Sequence, residues 1–283
     1  MTRWVACGQS ILHGSGREAK IMGIVNVTPD SFSDGGSWLT PETAVDHAAR
    51  LVRDGADILD IGGESSRPGS DPVPLLDEIR RVIPAIQAIA AELSVPISVD
   101  TTKAEVARLA IAAGASIIND ITGLASDPAM VQVAVDTGAG VVVMHMAGQP
   151  KTMQVEPSYA DVVAEVYEFL ARRIEVLETA GIPRERIAID PGIGFGKTST
   201  HNLELLRNFR RFATLDCALL VGTSRKRFLG SLTGKSVEDR LIASVVSSLA
   251  AIEQGVNIVR VHDVAAMSEA LKVWGAIQEG RES

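Results

Sequence analysis

The amino-acid sequence predicts an α/β fold, a TIM (β/α)8 barrel in a single domain. Eight short aliphatic runs alternate with eight amphipathic helical stretches, and no Pro/Gly/Ser-rich linker or run of charges divides the chain. Eight units are the defining number of the barrel and the upper range of a doubly wound open sheet, which is the structural alternative. The predicted domain spans residues 1–283, with the barrel core at about 20–276.

The aliphatic runs are predicted to be parallel strands, because short stretches of Val, Ile, Leu and Ala suit strands that are covered on both faces. The strands are predicted at about 21–26, 58–61, 96–100, 116–119, 141–145, 187–190, 218–222 and 257–261. The helices are predicted at about 41–54, 76–92, 103–113, 128–137, 161–180, 201–213, 237–254 and 264–276.

Residue types at the predicted helix ends support this division. Gly55, Gly114, Gly138 and Gly255 each precede an aliphatic run, where a glycine in the left-handed conformation can end a helix. Helix starts are predicted from pairs with cap or capping-box spacing: Thr40-Pro41, Thr102 with Glu105, Asp127-Pro128 and the weaker Ser236 with Asp239.

Composition argues against several classes of protein. With 46% apolar and 22% charged residues, the chain is typical of a globular protein with a sizeable core. A net charge of −8 without a basic stripe argues against a nucleic-acid partner. Only Cys7 and Cys217 occur, so no disulfide framework is expected. The N-terminus lacks a long apolar leader and no run approaches a membrane span, so the expected location is the cytoplasm.

Polar residues gather where the predicted strands end. In a barrel of this kind the active site lies at the carboxyl ends of the strands. A single aspartate there would be explained as a helix cap or a satisfied buried group, but all eight strands are followed by polar residues. The residues concerned are Asn26, Asp60, Glu64, Asp100, Asn119, Asp120, His145, Asp190, Thr223–Lys226, Arg260 and His262.

The last predicted strand indicates an anion site. Arg260 and His262 are two residues apart, so both should point to the barrel mouth, while Val259 and Val261 should point to the helices. Asp263 is expected to cap the following helix, and phosphate sites in this fold often follow the seventh and eighth strands. The alternative is an Arg–His pair in surface ion contacts.

The segment DPGIGFGKTSTHN contains Gly-Lys-Thr but matches neither common phosphate motif. A Walker A motif needs a glycine where this chain has Pro191, and the dinucleotide pattern needs its third glycine where the chain has Lys197. We therefore expect a loop that brings Phe195 beside a ligand, with Asp190 fixed at the strand end. The His, Cys and carboxylate spacing also indicates no transition-metal site built by the protein.

Eight blocks of sequence together resemble the dihydropteroate synthase family of the folate pathway. They occur in family order between about residues 22 and 264: MGIVNVTPDSFSDGG, DIGGESSRPGS, SVDTTK, IINDITG, MHMAGQPKTMQ, IDPGIGFGKT, VGTSRKRFLG and RVHDV. The resemblance implies a TIM-barrel transferase, usually a homodimer, that condenses 6-hydroxymethyl-7,8-dihydropterin pyrophosphate with p-aminobenzoate in the presence of Mg²⁺. It also implies that sulfonamides compete with p-aminobenzoate. At Ser66 the family usually has threonine, so the hydroxyl is kept and a methyl group is lost.

The resemblance assigns candidate site residues through matching motif positions. The residues expected at the pterin are Asp100, Asn119, Met144, Asp190 and Lys226. Those expected at the pyrophosphate are Asn26, Ser66, Arg67, Arg260 and His262, with Asn26 nearest Mg²⁺. Those expected at p-aminobenzoate are Phe32, Pro68, Phe195, Ser224 and Lys226. The expected catalytic set is Arg67, Asp100, Lys226, Arg260 and His262.

The resemblance leaves alternatives open. The loops after Asn26 and Gly62 are expected to close as two flaps over bound pyrophosphate.

Either Asp60 or Asp100 could accept the proton of the amine. The alternative functions are a pterin-binding paralogue without catalytic activity and the pterin-binding domain of a corrinoid methyltransferase, against which the SRK motif argues.

Overall fold

Eight parallel strands close into a barrel, and helices lie between successive strands. The structure is a computed structural model that describes residues 2–12, 19–28, 41–65, 69–149 and 151–280. The last barrel strand pairs with the first, with Ile258 opposite Lys20. The predicted TIM barrel is therefore confirmed, and the open doubly wound sheet is wrong.

The elements follow one another in β/α order after an N-terminal hairpin. The strands are β1 (Trp4–Ala6), β2 (Gln9–Leu12), β3 (Lys20–Asn26), β4 (Ile58–Gly62), β5 (Ile97–Asp100), β6 (Ile117–Asp120), β7 (Gly140–Met144), β8 (Ile187–Asp190), β9 (Ala218–Val221) and β10 (Ile258–Val261). The helices are α1 (Pro41–Arg53), α2 (Leu75–Glu92), α3 (Ala104–Ala112), α4 (Met130–Thr137), α5 (Val162–Thr179), α6 (Ser199–Arg207), α7 (Phe209–Phe212), α8 (Arg227–Thr233), α9 (Leu241–Glu253) and α10 (Val264–Glu279). Among the described helices, none combines the length and apolar character needed to cross a membrane.

The eight barrel strands lie where the sequence predicts them, whereas one helix break and several short elements, among them the hairpin strands and α8, are not predicted. The predicted helix at 201–213 is divided into α6 and α7, because Asn208 has the non-helical angles φ −115° and ψ 17°. The hairpin strands β1 and β2 and the seven-residue α8 are missing from the prediction. Helix α8 contains Gly230 and is too short for a helical period to show.

The four glycines predicted to end helices all have positive φ: Gly55 at 108°, Gly114 at 116°, Gly138 at 73° and Gly255 at 99°. This part of the prediction is confirmed. Each glycine provides the sharp reversal that directs the chain from a helix into the next strand.

The predicted helix starts are less successful. Thr40 lies outside the described residues. Asp127 does not cap α4 directly, because one of its carboxylate oxygens accepts the backbone N–H of Ala104 at 2.9 Å and the other accepts that of Ala129 at 3.0 Å. Asp127 therefore joins the beginning of α3 to the turn before α4, a tertiary role that local spacing does not show.

The other two predicted caps are wrong. Helix α3 begins after Lys103 without a side-chain cap, and Glu105 instead accepts hydrogen bonds from Arg108. The Ser236 hydroxyl donates to Asp239 at 2.9 Å, but α9 begins two residues after Asp239. In both cases the side chain has a nearby partner other than the helix end.

The N-terminal hairpin closes the bottom of the barrel. Trp4 is fully buried, and its indole N–H donates to the Arg186 carbonyl at 3.2 Å. The turn uses positive φ at Cys7 and Gly8, 47° and 77°. The buried hairpin residues form one cluster with inward-facing barrel residues: Trp4, Ala6, Ile11, Leu12, Met22, Ile58, Ile117, Val142, Ala188, Ala218, Leu220 and Ile258.

Side-chain alternation then divides each barrel strand between two environments. Val259 and Val261 belong to the large cluster under the helices, as predicted, while Ile258 faces the lumen. Residues two apart on a strand point to the same face, so each apolar inward side chain is followed two residues later by a polar inward one. The pairs are Ile58 and Asp60, Ile117 and Asn119, Ala188 and Asp190, and Ile258 and Arg260. The polar residues therefore meet above a closed apolar floor.

Removing the hairpin's anchor should destabilise this floor. We expect Trp4→Ala to lower the free energy of unfolding by about 3–5 kcal/mol, because it leaves a large cavity against the barrel interior. Leu203→Ala is the control, since Leu203 is 42% exposed; we expect it to change that free energy by less than about 0.5 kcal/mol. Urea denaturation followed by far-ultraviolet circular dichroism measures both, and equal effects would contradict the assigned role of Trp4.

Candidate active site

Five inward-facing side chains form a charged group at the carboxyl ends of the strands, which we call the mouth cluster. Its members are Asp60 on β4, Asp100 on β5, Asn119 on β6, Asp190 on β8 and Arg260 on β10. Asp60, Asn119 and Asp190 are buried, while Asp100 and Arg260 are partly exposed. The alternation of the strands thus concentrates polar groups in a space largely shielded from water.

Arg260 holds two carboxylates of the cluster together. Its Nε–H donates to Asp60 Oδ2 at 2.6 Å, and its Nη2–H donates to Asp100 Oδ2 at 2.8 Å. Burial by itself lowers the pKa of Arg260, but the two carboxylates outweigh burial and raise it. The predicted barrel-mouth position of Arg260 is confirmed, and the alternative of a surface ion pair is wrong for this residue.

Asp60 has no exposed surface. Besides the Nε–H of Arg260, it accepts the side-chain amide of Asn119, whose Nδ2 lies 3.3 and 3.2 Å from the two carboxylate oxygens. Asp60 therefore orients a cation and an amide, and its burial leaves no side for a ligand.

Asp100 differs from Asp60 in exposure. The Asp100 side chain is 13% exposed. Burial raises the pKa of this carboxyl to about 7; Arg260 acts to lower the pKa, and Asp60 acts to raise it. Asp100 can consequently exchange a proton near neutral pH.

Asp190 lies at the end of β8, and its position is set by the backbone around it. Its Oδ1 accepts the N–H of Gly192 at 2.7 Å, and its carbonyl accepts the N–H of His145 at 3.0 Å. Burial raises the pKa of Asp190, while the ammonium of Lys226 opposes that shift.

Lys226 lies on the loop after β9, and its charge acts on the Asp190 carboxylate. Its ammonium donates to the Ile193 carbonyl and lies 4.3 Å from the centre of the Phe195 ring, a distance at which a cation is attracted to a ring face. Burial lowers the pKa of Lys226 to about 8, against the effect of Asp190. Lys226 and Phe195 therefore occupy one corner of the mouth.

Ser224 and His262 are in contact at the next corner. Ser224 Oγ lies 3.0 Å from His262 Nδ1, and it also accepts the backbone N–H of His262 at 3.2 Å. Asp263 does not cap α10 through its side chain, which corrects the prediction. Its carboxylate instead accepts two hydrogen bonds from Arg225, at 3.0 and 2.5 Å, because the loop after β9 passes beside it.

The other predicted site residues divide between described and undescribed parts of the chain. Asn26 ends β3, and Met144 ends β7 with 4% of its surface exposed. Phe32, Ser66, Arg67 and Pro68 lie outside the described residues, so the contacts of the two predicted flaps are not described there. The structure thus brings together the predicted residues on the strands and on the loops after β8 and β9.

The side chains near Asn26 can be compared with the ligands that a metal ion requires. Within the described ranges, no three His, Cys, Asp or Glu side chains are placed to hold a metal ion. Asn26 supplies one amide oxygen, which is a hard ligand. Mg²⁺ is usually bound through one or two protein ligands, with substrate phosphates and water supplying the others. The residues therefore fit an ion that is held jointly with a phosphorylated substrate.

Lys197 is a cation of the site that the sequence analysis does not predict. In the sequence it is only the residue that breaks a glycine pattern, yet in the structure it is 2% exposed. Its ammonium lies 2.9 Å from His145 Nδ1. Burial lowers the pKa of His145 to about 3, so this imidazole is neutral. A lysine in an otherwise glycine-rich loop is the signal that could have found this contact.

A second buried group supports the loop after β4. Glu78, on α2, is fully buried and accepts hydrogen bonds from Thr101 at 2.6 Å and from Lys103 at 2.5 Å. Lys103 also donates to Glu64 at 2.5 Å. Glu78 was not predicted, because a glutamate on an amphipathic helix normally faces solvent.

Comparison with known proteins gives consistent results over most of the chain. Residues 22–262 match the family of pterin binding enzymes. The chain is 46% identical to the dihydropteroate synthase of Escherichia coli K12 over 263 residues, 93% of each protein. It is similar to the Xanthomonas albilineans dihydropteroate synthase solved with 4-aminobenzoic acid, with 48% identity, TM-score 0.90 and 98% of each chain covered. The same enzyme with 7,8-dihydropteroate gives 45% identity, TM-score 0.87 and 98% coverage of each chain.

The role of Asp60 can be tested by removing its carboxylate. We expect Asp60→Ala to lower the free energy of unfolding by about 3 kcal/mol, because a largely buried guanidinium loses one of its two partners. Asp46→Ala, at an exposed position on α1, is the matched control, and we expect a change below about 0.5 kcal/mol. Chemical denaturation measures both; an unchanged midpoint for Asp60→Ala would show that Asp60 does not organise the cluster.

Proposed function

We propose how the barrel mouth performs the reaction of the family to which this chain belongs, the dihydropteroate synthases among the pterin binding enzymes. These transferases condense 6-hydroxymethyl-7,8-dihydropterin pyrophosphate with p-aminobenzoate to give 7,8-dihydropteroate and pyrophosphate. The observation that carries the proposal is the convergence of a buried carboxylate, a half-buried lysine and an arginine: Asp190, Lys226 and Arg260.

The pterin ring is assigned to the buried side of the cluster. Its 2-amino-4-oxo edge presents adjacent N–H donors, which the Asp190 carboxylate accepts as a paired, charge-assisted contact. Asp100 and Asn119 bind the remaining polar edge of the ring. Lys226 donates to the ring carbonyl or to N5, and Met144 packs against the ring. Asp60 acts through Asn119 and Arg260, which it already holds.

The pyrophosphate is assigned to the cationic side. Arg260 uses Nε and Nη2 for carboxylates, which leaves its Nη1 edge for the phosphate oxygens. His262, Arg67 and Ser66 complete this subsite. Mg²⁺, held by Asn26 together with phosphate oxygens, would neutralise charge on the leaving group when bound. In this assignment Arg260 and His262 would stabilise the negative charge that develops on the leaving group.

The bond changes follow from this placement. The C–O bond to pyrophosphate breaks with its electron pair leaving on the phosphate oxygen, and the positive charge on carbon is delocalised into the pterin. The amine nitrogen of p-aminobenzoate then forms the C–N bond and loses a proton. We assign that proton to Asp100, because Asp100 is partly exposed with a pKa of about 7, whereas Asp60 is fully enclosed.

p-Aminobenzoate is assigned to the corner between the loops after β8 and β9. The Phe195 ring provides an apolar wall, and the Ser224 hydroxyl and Lys226 ammonium provide polar groups for the carboxylate. Phe32 and Pro68 complete the pocket from the two flaps. Closure of the flaps would exclude water from the cationic intermediate.

The proposed assembly is a homodimer in the cytoplasm. Helices α9 and α10 pack together and expose large apolar side chains: Ile242 is 78% exposed, Val246 59%, Val273 57% and Ile277 68%. Exposed patches of this kind mark interaction surfaces. A second copy of the chain would cover them. A reducing compartment suits the two thiols, which are both unpaired in the described chain.

The function is tested by measuring pyrophosphate release and dihydropteroate formation with Mg²⁺, with and without p-aminobenzoate. We expect both products only when p-aminobenzoate is present. Lys226→Ala should lower kcat/KM about 100-fold or more, because it removes a half-buried cationic donor from the mouth. Lys235→Ala, at an exposed position after α8, should leave kcat/KM unchanged. Tight pterin binding without product would indicate the non-catalytic paralogue instead.

The dimer is tested by placing a charge on its proposed surface. We expect a wild-type mass of twice 29.9 kDa by light scattering after size-exclusion chromatography. Ile277→Glu should shift the mass to that of one chain, because a dimer would bury the new carboxylate. Val176→Glu, on α5 at a position 48% exposed, should not change the mass. A wild-type monomer, or an Ile277→Glu dimer, would contradict the assigned surface.

A further inference from the structure

We propose that Lys197 is a positioning residue, which holds the loop of residues 190–198 in the shape that places Phe195 and Ile193 against Lys226. This inference rests on the proposed function, because Phe195 and Lys226 are there assigned to the substrates. Lys197 itself is 2% exposed, so a substrate has no access to its ammonium.

The loop is folded around the Lys197 ammonium. Nζ donates to the carbonyls of Gly192 and Phe195, both at 2.9 Å, and lies 2.9 Å from His145 Nδ1. The neutral imidazole accepts at Nδ1, and the His145 carbonyl is a fourth acceptor at the longer distance of 3.4 Å, so all four neighbours accept from the ammonium. The loop thus turns around an internal cation that belongs to the chain.

The glycines of the loop make this arrangement possible. Gly192, Gly194 and Gly196 have φ values of 71°, 82° and 61°. A Cβ on Gly192 would lie 1.9 Å from the His145 carbonyl oxygen. The backbone therefore approaches β7 too closely for any side chain, and the turn brings the two carbonyls onto one ammonium.

Lys197 and Lys226 both contact the segment of residues 192–195. Lys197 holds the carbonyls of Gly192 and Phe195, while Lys226 donates to the carbonyl of Ile193 and lies over the ring of Phe195. A displacement of residues 192–195 would therefore remove both supports of Lys226. Lys197 acts on the substrates through this segment.

Other hydrogen bonds hold the outer side of the loop. Gln154 donates to the Gly194 carbonyl at 2.6 Å, and Tyr159 donates to that of Gly196 at 2.9 Å. Neither holds the carbonyl of Gly192 or Phe195. The charged groups that act on Lys197 are Asp190 and Lys226; burial lowers the pKa of Lys197 to about 7, and Asp190 opposes this effect. Asp190 accepts the backbone N–H of Gly192, whereas Lys197 is the side chain that donates to the carbonyls of Gly192 and Phe195, so its replacement should have a measurable effect.

The test compares two parts of the mouth in Lys197→Met, which keeps the length of the side chain and removes its N–H donors. We expect KM for p-aminobenzoate to rise by about 10–100-fold at saturating pterin pyrophosphate, because displacement of a supporting residue by an ångström can cost about that much. The Kd for inorganic pyrophosphate, measured by calorimetry, should change less than about twofold, since Arg260 and His262 lie outside the loop.

Further variants make the result decisive. Lys235→Met is the matched control and should leave both constants unchanged. Lys197→Arg, which keeps a charged donor, should recover part of the KM. In a Phe195→Leu background, Lys197→Met should raise KM for p-aminobenzoate by a much smaller factor than it does in the wild type, because both substitutions act on one contact. If Lys197→Met does not fold, Lys197→Gln decides the question with the same two constants.

The outcomes separate this inference from the proposed function. Equal losses in KM, kcat and pyrophosphate affinity, or no change in KM, would overturn the positioning role. An additive effect in Phe195→Leu would also overturn it. A wild-type protein that binds both substrates without forming dihydropteroate would contradict the proposed function, whereas failure of Lys197 alone would leave wild-type turnover intact.

Discussion

A closed barrel of parallel strands requires every second side chain to enter a space with no exit except at its ends. Ile58 and Ile258 fill that space at one level, and Asp60 and Arg260 point into it two residues further along their strands. Charges placed there lose their hydration, which is costly unless they are paired. The contacts of Arg260 with two carboxylates are the solution that this chain uses, and the geometry of the mouth depends on them.

The same burial accounts for the acid–base properties of the site. Asp100 and Lys226 have pKa values of about 7 and about 8, each moved toward neutrality mainly by desolvation. Groups with such pKa values lose or gain a proton at little cost near neutral pH. Asp60 shares the environment but is enclosed by Arg260 and Asn119, so its role is structural. The proposed roles of these two neighbouring aspartates therefore differ because the side chains differ in access.

Polar contacts beneath the loops extend this organisation away from the mouth. The Thr223 hydroxyl accepts from Ser247 at 2.9 Å and contacts that of Ser248 at 3.1 Å, so α9 holds the beginning of the loop that carries Lys226. Lys197 holds the loop after β8 from within. The outer side of α9 carries part of the proposed dimer surface. Helix α9 therefore connects the loop that carries Lys226 to the proposed dimer surface.

The order and type of the barrel elements, the glycines that end four helices and the polar residues at the strand ends can all be predicted from the amino-acid sequence. These depend on local periods and on residue types, which a single chain displays directly. The pairing of the polar residues depends instead on how the chain folds. Asp127 and Asp263 bind distant partners instead of capping helices, and Lys197 lies inside a loop. Such contacts join residues far apart in sequence, and their energies depend on burial. Burial is created only when the barrel closes, so it leaves no local pattern in the chain.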